Sequence, residues 1–203
     1  MHSSIFLTGF RATGKTTVGK AVAEKLKWEF FDSDQIIEER VGMSIDELTK
    51  HGTDWKLFRQ MELDILKEYL NRKNIVFSMG GGMATNDFPK DGMEATFGEL
   101  ERDLLDQANG VLLVRLTAPE KVMTERIRAA EIANAGTSRP ILDPEQAFRS
   151  QSTDKDQRVN EIVMDSIHTF RTRQSLYTRL TDNVVDTGQS SVGECAEKII
   201  EMM

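Results

Sequence analysis

The sequence predicts an α/β fold of three layers, with a central five-stranded parallel sheet, helices on both faces and a lid. Three observations predict it. Short apolar bursts recur along the chain without strict polar alternation, as in strands buried on both faces. Long spans with helical spacing separate them, so strand and helix alternate. A glycine-rich turn joins the first burst to the first helix, at residues 9–16.

The elements follow in order. Ser4-Ile5-Phe6-Leu7 opens the chain as a strand, and after Gly14 the positions Val18, Ala21, Val22 and Leu26 repeat at helical spacing. Phe30-Phe31 forms the second strand. Phe58, Met61, Leu63, Ile65, Leu66 and Leu70 mark a helix over about 53–71. Ile75-Val76-Phe77 and Val111-Leu112-Leu113-Val114 are the next strands. Pro119 takes the first position of a helix carrying Val122, Met123 and Ile127. Val184-Val185 is the fifth strand, and Cys195 falls on a helix near the C-terminus. Two segments break the rhythm. Residues 85–98 read as loop, and 129–156, with two prolines and weak periodicity, read as a lid.

Composition narrows the function. With 26 basic and 33 acidic residues the formal charge is −7, which leaves no electrostatic footprint for nucleic acid. Any bound anion must be held by a local cluster of Arg and Lys. A single cysteine excludes an intrachain disulfide and a cysteine zinc site. No apolar run approaches membrane-spanning length, and no charged segment leads into one at the start. A cytoplasmic protein is therefore expected. Its 203 residues are expected to form one domain, 1–203, and a monomer.

Gly9-Phe10-Arg11-Ala12-Thr13-Gly14-Lys15-Thr16 matches GxxxxGK[ST], with the required strand before it and helix after it. Glycines let backbone N–H groups turn inward around phosphate oxygens, and the helix N-terminus adds positive potential. Lys15 is placed to reach the β- and γ-phosphates, and Thr16 to offer its hydroxyl to Mg²⁺. A chance Gly-rich turn would lack that context. The motif fixes ATP as the nucleotide and a P-loop kinase fold as the frame, but says little about the acceptor.

Asp32 and Asp34 follow the second strand, at the sheet edge where open parallel sheets bind ligands. One can face Mg²⁺ or its waters and the other an acceptor hydroxyl. Alternatively, one simply caps a helix starting near Gln35. Arg59 has Glu62 one helical turn later, a pairing that is usually a solvated surface feature. Arg139 lies in the lid and Arg173 on a late helix. Each alone reads as surface. Together, in an acidic chain with a phosphate loop, they are candidates for clamping an anion bidentately. Gly80-Gly81-Gly82 ends the third strand, and three glycines in a row point to close approach of backbone to a ligand. Ser78 stands where many phosphate-loop enzymes have a metal-binding Asp, which shifts metal duty to Asp32.

In this order the residues resemble the shikimate kinase family. The set comprises GxxxxGKT with Thr17-Val18-Gly19, Asp-x-Asp at 32–34, Phe58-Arg59 with Glu62, the triple glycine, Arg139-Pro140, and Arg173 before Leu176-Tyr177. The resemblance implies ATP-dependent phosphorylation of shikimate with Mg²⁺. It implies ATP binding by Gly9, Arg11, Ala12, Thr13, Gly14, Lys15, Thr16 and Thr17, with Arg128 rather than Arg126 against the adenine. Thr16 and Asp32 would serve the metal. Asp34 would orient or deprotonate the reacting hydroxyl, and Lys15 and Arg139 would stabilise the transferring phosphate. Arg59 and Arg173 would grip the carboxylate while Gly80, Gly81 and Gly82 approach the ring. The acceptor-binding region would span about 33–71. Two stretches, 83–110 and 140–172, are longer than usual for the family. Gluconate kinase and a non-catalytic nucleotide sensor of the same fold are the competing readings.

Overall fold

The computed structural model describes residues 2–52, 54–86, 95–133, 140–143, 147 and 154–203. Five strands, β1 (Ser4–Thr8), β2 (Glu29–Asp32), β3 (Ile75–Ser78), β4 (Val111–Thr117) and β5 (Val184–Asp186), form one sheet in the order β2-β3-β1-β4-β5. All four pairings are parallel, with Ser4 opposite both Ile75 and Val111, Phe30 opposite Val76, and Arg115 opposite Val184. The expected five parallel strands are all present.

Alternation within β1 and β3 divides the core. Ile5, Leu7 and Val76 point to a layer formed with α1 (Lys15–Leu26), and the C-terminal helix Val192–Glu201, named α8 below, closes it with Cys195, Ala196 and Ile199. Phe6, Ile75 and Phe77 point the other way, onto α2 (Ser33–Val41) and α4 (Lys56–Tyr69), through Ile37, Phe58, Ile65 and Leu66. Successive strand residues face opposite sides, so each strand serves both layers. The lone thiol is buried in the first layer.

The differences from expectation lie at helix starts. The short α3 (Ile45–Leu48) opens on a capping box of Ser44 and Glu47. The second box, Thr96 with Glu99, starts α5 (Phe97–Gln107) at the end of a stretch read as loop. Both match S/T-x-x-E, the capping-box signature of a helix start. Pro119 sits one residue earlier than expected, its carbonyl accepting the Met123 N–H at 3.0 Å as α6 (Glu120–Ala133) begins. Within the segment read as lid, α6 runs to Ala133 and α7 (Lys155–Leu180) starts at Lys155 behind its cap Asp154. Residues 155–180 thus form one long helix. Val159, Ile162 and Val163 of α7 pack with Ile127 of α6 and with Ile141 and Ala147. No helix among the described residues is long and apolar enough to cross a membrane.

Gly19 sets how closely α1 lies on the sheet. A Cβ there would come within 2.5 Å of the Phe30 ring and 3.0 Å of a Leu7 methyl. Gly19→Val should therefore cost about 1–3 kcal/mol of stability through overpacking, read as a lower urea midpoint at unchanged slope.

Candidate active site

The phosphate loop takes its shape from three residues in the left-handed region: Gly9 at φ 140°, Ala12 at 63° and Gly14 at 90°. A Cβ on Gly9 would lie 2.3 Å from the Leu116 carbonyl oxygen, so β4 itself demands glycine there. The Thr13 hydroxyl ties the loop by donating to the Phe10 carbonyl at 2.8 Å. Lys15 Nζ donates to the carbonyls of Gly9 and Phe10 at 2.7 and 3.0 Å, which holds the ammonium over the loop. Arg11 reaches away from it, donating to the Pro140 carbonyl and to Ser166 of α7.

Asp32 ends β2 and performs two tasks. Its Oδ1 accepts the Asp34 N–H at 3.1 Å and caps α2, while its Oδ2 accepts the Thr16 hydroxyl at 2.8 Å. The strand stops at Asp32, so Asp34 belongs to the first turn of α2 and not to the strand as the sequence argument had it. The helix turn still brings Asp34 to the same cavity. Burial raises its pKa to about 7, helped by the charges of Asp32 and Glu62 and opposed by Lys15 and Arg59.

The triple glycine follows β3 and lies against this cluster. A Cβ on Gly80 would meet Glu62 Oε1 at 2.4 Å and Asp34 Oδ1 at 2.7 Å, and one on Gly82 would meet the Arg59 guanidinium at 2.5 Å. On Gly81 it would meet the Arg11 amide at 3.2 Å. The glycines are thus required by protein neighbours on at least one side. The Gly80 N–H is held by Ser33 Oγ at 2.7 Å, and the Tyr177 hydroxyl donates to the Gly81 carbonyl.

Arg59 and Glu62 are an internal ion pair, 2% and 0% exposed, not the surface pair expected from spacing. The guanidinium stacks 4.8 Å from the Trp55 ring centre and 5.1 Å from that of Phe58. Burial pushes the Glu62 carboxyl above its usual range, while Arg59 and then Arg173 pull it back.

One cavity of about 1090 Å³ joins these parts. Its lining includes Arg11, Ala12, Gly14, Lys15, Thr16 and Thr17 of the phosphate loop, Asp32 and Asp34, and Arg59, Gly81, Gly82 and Arg173. Gly9, Thr13 and Gly80 shape its wall from behind. Arg128 is not brought to it: that side chain is exposed and donates to Asn160 of α7 at 2.8 Å. Arg126, two residues earlier and on nearly the opposite face of α6, lines the cavity instead and donates to the Ala12 carbonyl and to Thr187. Nothing in the sequence favoured 126 over 128, because both fit the helix and only the register of α6 against the loop separates them. Arg139 and most of the expected lid lie outside the described residues; Pro140 and Leu142 line the cavity.

The shikimate kinase family model matches residues 11–203. The chain belongs to the shikimate kinase family. It is 30% identical over 198 residues to the shikimate kinase of Caldanaerobacter subterraneus subsp. tengcongensis, covering 97% of this chain and 94% of that one. To the enzyme of Thermodesulfovibrio yellowstonii it is 33% identical over 199 residues, covering 98% and 93%. Among solved structures, shikimate kinase from Acinetobacter baumannii in complex with shikimate superposes with a TM-score of 0.70 at 26% identity, covering 100% of this chain and 93% of that one. The Bacteroides thetaiotaomicron shikimate kinase gives 0.68 at 26%, covering 98% and 97%. These family members share the five-stranded P-loop kinase architecture described above.

The raised Asp34 pKa has a sign that can be tested. The folded protein holds this proton more tightly than the unfolded chain, whose carboxyl has the ordinary value of 3.8. Stability therefore falls as pH rises from there through about 7. In chelator and without ligands, Asp34→Asn should melt higher than wild type above about pH 7, with the gap closing toward pH 3.8. A gap that instead widened toward acid would contradict the arrangement.

Proposed function

We propose that this protein is a shikimate kinase that transfers the γ-phosphate of ATP to the 3-hydroxyl of shikimate, giving shikimate 3-phosphate and ADP. The observation that supports this reading is one cavity lined by both a phosphate loop and two arginines, Arg59 and Arg173. A chain of net charge −7 that places two guanidinium groups there, one of them buried, is built for an anionic acceptor. Planar forks suit a carboxylate.

Each residue then has a task. The loop amides and Lys15 hold the nucleotide phosphates, with Arg126 rather than Arg128 on the nucleotide side. Arg59 and Arg173 grip the acceptor carboxylate and Asp34 faces the reacting hydroxyl. The hydroxyl oxygen attacks the γ-phosphorus as the bridging bond to the β-phosphate breaks; ADP leaves with that electron pair and the hydroxyl proton passes to Asp34. Charge stabilisation and positioning supply most of the rate. Thr16 and Asp32 present a hydroxyl and a carboxylate oxygen 2.8 Å apart, a hard donor pair that fits Mg²⁺. When bound, Mg²⁺ neutralises phosphate charge. Arg139 is assigned to the transferring phosphate by resemblance, and the segment around it to a lid that excludes water.

A coupled ADP-release assay with shikimate, gluconate and nucleoside monophosphates in parallel tests the acceptor. Stimulation by shikimate alone is expected; gluconate in its place would move the acceptor assignment, and no stimulation by any would favour a sensor. Arg173→Met should raise the shikimate KM by about tenfold or more and leave the ATP KM within about threefold. Equal losses on both substrates would remove the arginine from the acceptor end.

A further inference from the structure

Behind the triple glycine lies a buried cluster that the chemistry above does not use. Glu101 of α5 is 0% exposed, yet touches neither nucleotide loop nor cavity. Its Oε2 accepts the Ala84 N–H at 2.6 Å and lies 3.5 Å from Asn86 Nδ2. The next residue, Arg102, donates from Nη1 to the Ala84 carbonyl at 2.8 Å. Both polar backbone groups of one residue are therefore held by consecutive side chains of one helix.

Ala84 needs holding. Its φ is 62°, a left-handed conformation that strains an L-residue and persists only when its surroundings enforce it. The turn it ends runs from Gly80, with the Met83 N–H on the Gly80 carbonyl and the Thr85 N–H on that of Gly82. Asn86 Nδ2 adds a bond to the Gly82 carbonyl at 3.2 Å. Gly82 in turn lies flat on the Arg59 guanidinium. Helix α5 approaches closely enough to do this because of Gly98, where a Cβ would fall 2.3 Å from the Asn86 carbonyl oxygen. The chain of contact runs without a gap from α5, through the glycine turn, to the acceptor arginine.

We propose that Glu101, seconded by Arg102, is a positioning residue for the acceptor site, fixing the Gly80–Ala84 turn and through it the place of the Arg59 guanidinium. Burial, followed by the charge of Glu62, pushes the Glu101 carboxyl well above its usual range. A single accepting oxygen does the work, and the carbonyl oxygen of a glutamine can reproduce it. The proposal rests on the shikimate kinase reading.

The experiment compares wild type, Glu101→Leu, Glu101→Gln and Arg102→Met by ADP release at varied shikimate and varied ATP. Wild type comes first: if shikimate does not stimulate it, the functional reading fails, and this proposal with it. If it does, Glu101→Leu should raise the shikimate KM about tenfold, the order expected when a buried amide loses its acceptor, with the ATP KM within about twofold. Glu101→Gln should restore the wild-type shikimate KM. Should Glu101→Leu not fold, Arg102→Met, which removes the donor to the Ala84 carbonyl from a partly exposed position, must show the same split. Equal shifts for both substrates, a lower melting temperature with unchanged KM, or a glutamine variant as impaired as the leucine one would each overturn the assignment.

Discussion

The buried Arg59–Glu62 pair is the constraint around which the acceptor end of the protein is organised. Removing two charges from water is expensive, and their mutual attraction offsets it only with good geometry and further partners. Here the partners are visible. Trp55 and Phe58 offer their ring faces to the guanidinium, and Gly82 brings backbone against it where any side chain would collide. Glu62 lies close to the Gly80 backbone in the same way. Glycine at these positions is demanded first by the ion pair, and the open approach to a ligand follows from that.

The charge balance has a consequence for ligand choice. Glu62, Asp34 and Glu101 all lie near Arg59, in a chain that is already net negative. Were all three fully ionised, the region would repel a carboxylate. Burial pushes each of them above its usual range, which moderates that repulsion beside Arg59 and Arg173.

Much of this was legible in the sequence, and the reasons differ by element. Strands β1 and β3 were plain because burial on both faces writes an unbroken apolar run. The phosphate loop was plain because its φ requirements and its charge need fixed residue types at fixed spacing. The internal character of Arg59 and Glu62 was not legible, since an i, i+3 pair of opposite charge looks the same in water and in a core. Neither was Glu101, a glutamate on an amphipathic helix whose burial depends on how closely Gly98 lets α5 approach Asn86. The choice between Arg126 and Arg128 was lost for the same reason. Sequence spacing gives the helix, but the contact of α6 with Ala12 and Thr187 selects the residue.

Asp32 and Asp34 show how capping and chemistry share one turn. Asp32 satisfies the Asp34 N–H with one oxygen and the Thr16 hydroxyl with the other, so it joins the starts of α1 and α2. That places Asp34 at a helix N-terminus, where the helix dipole favours its ionised form. Lys15 and Arg59 favour ionisation too, while burial, Asp32 and Glu62 oppose it. The outcome, a pKa of about 7, leaves both protonation states populated near neutrality. The proton transfer proposed for Asp34 is best served by a group in that range. The cap that starts α2 therefore also sets the balance on which proton transfer depends.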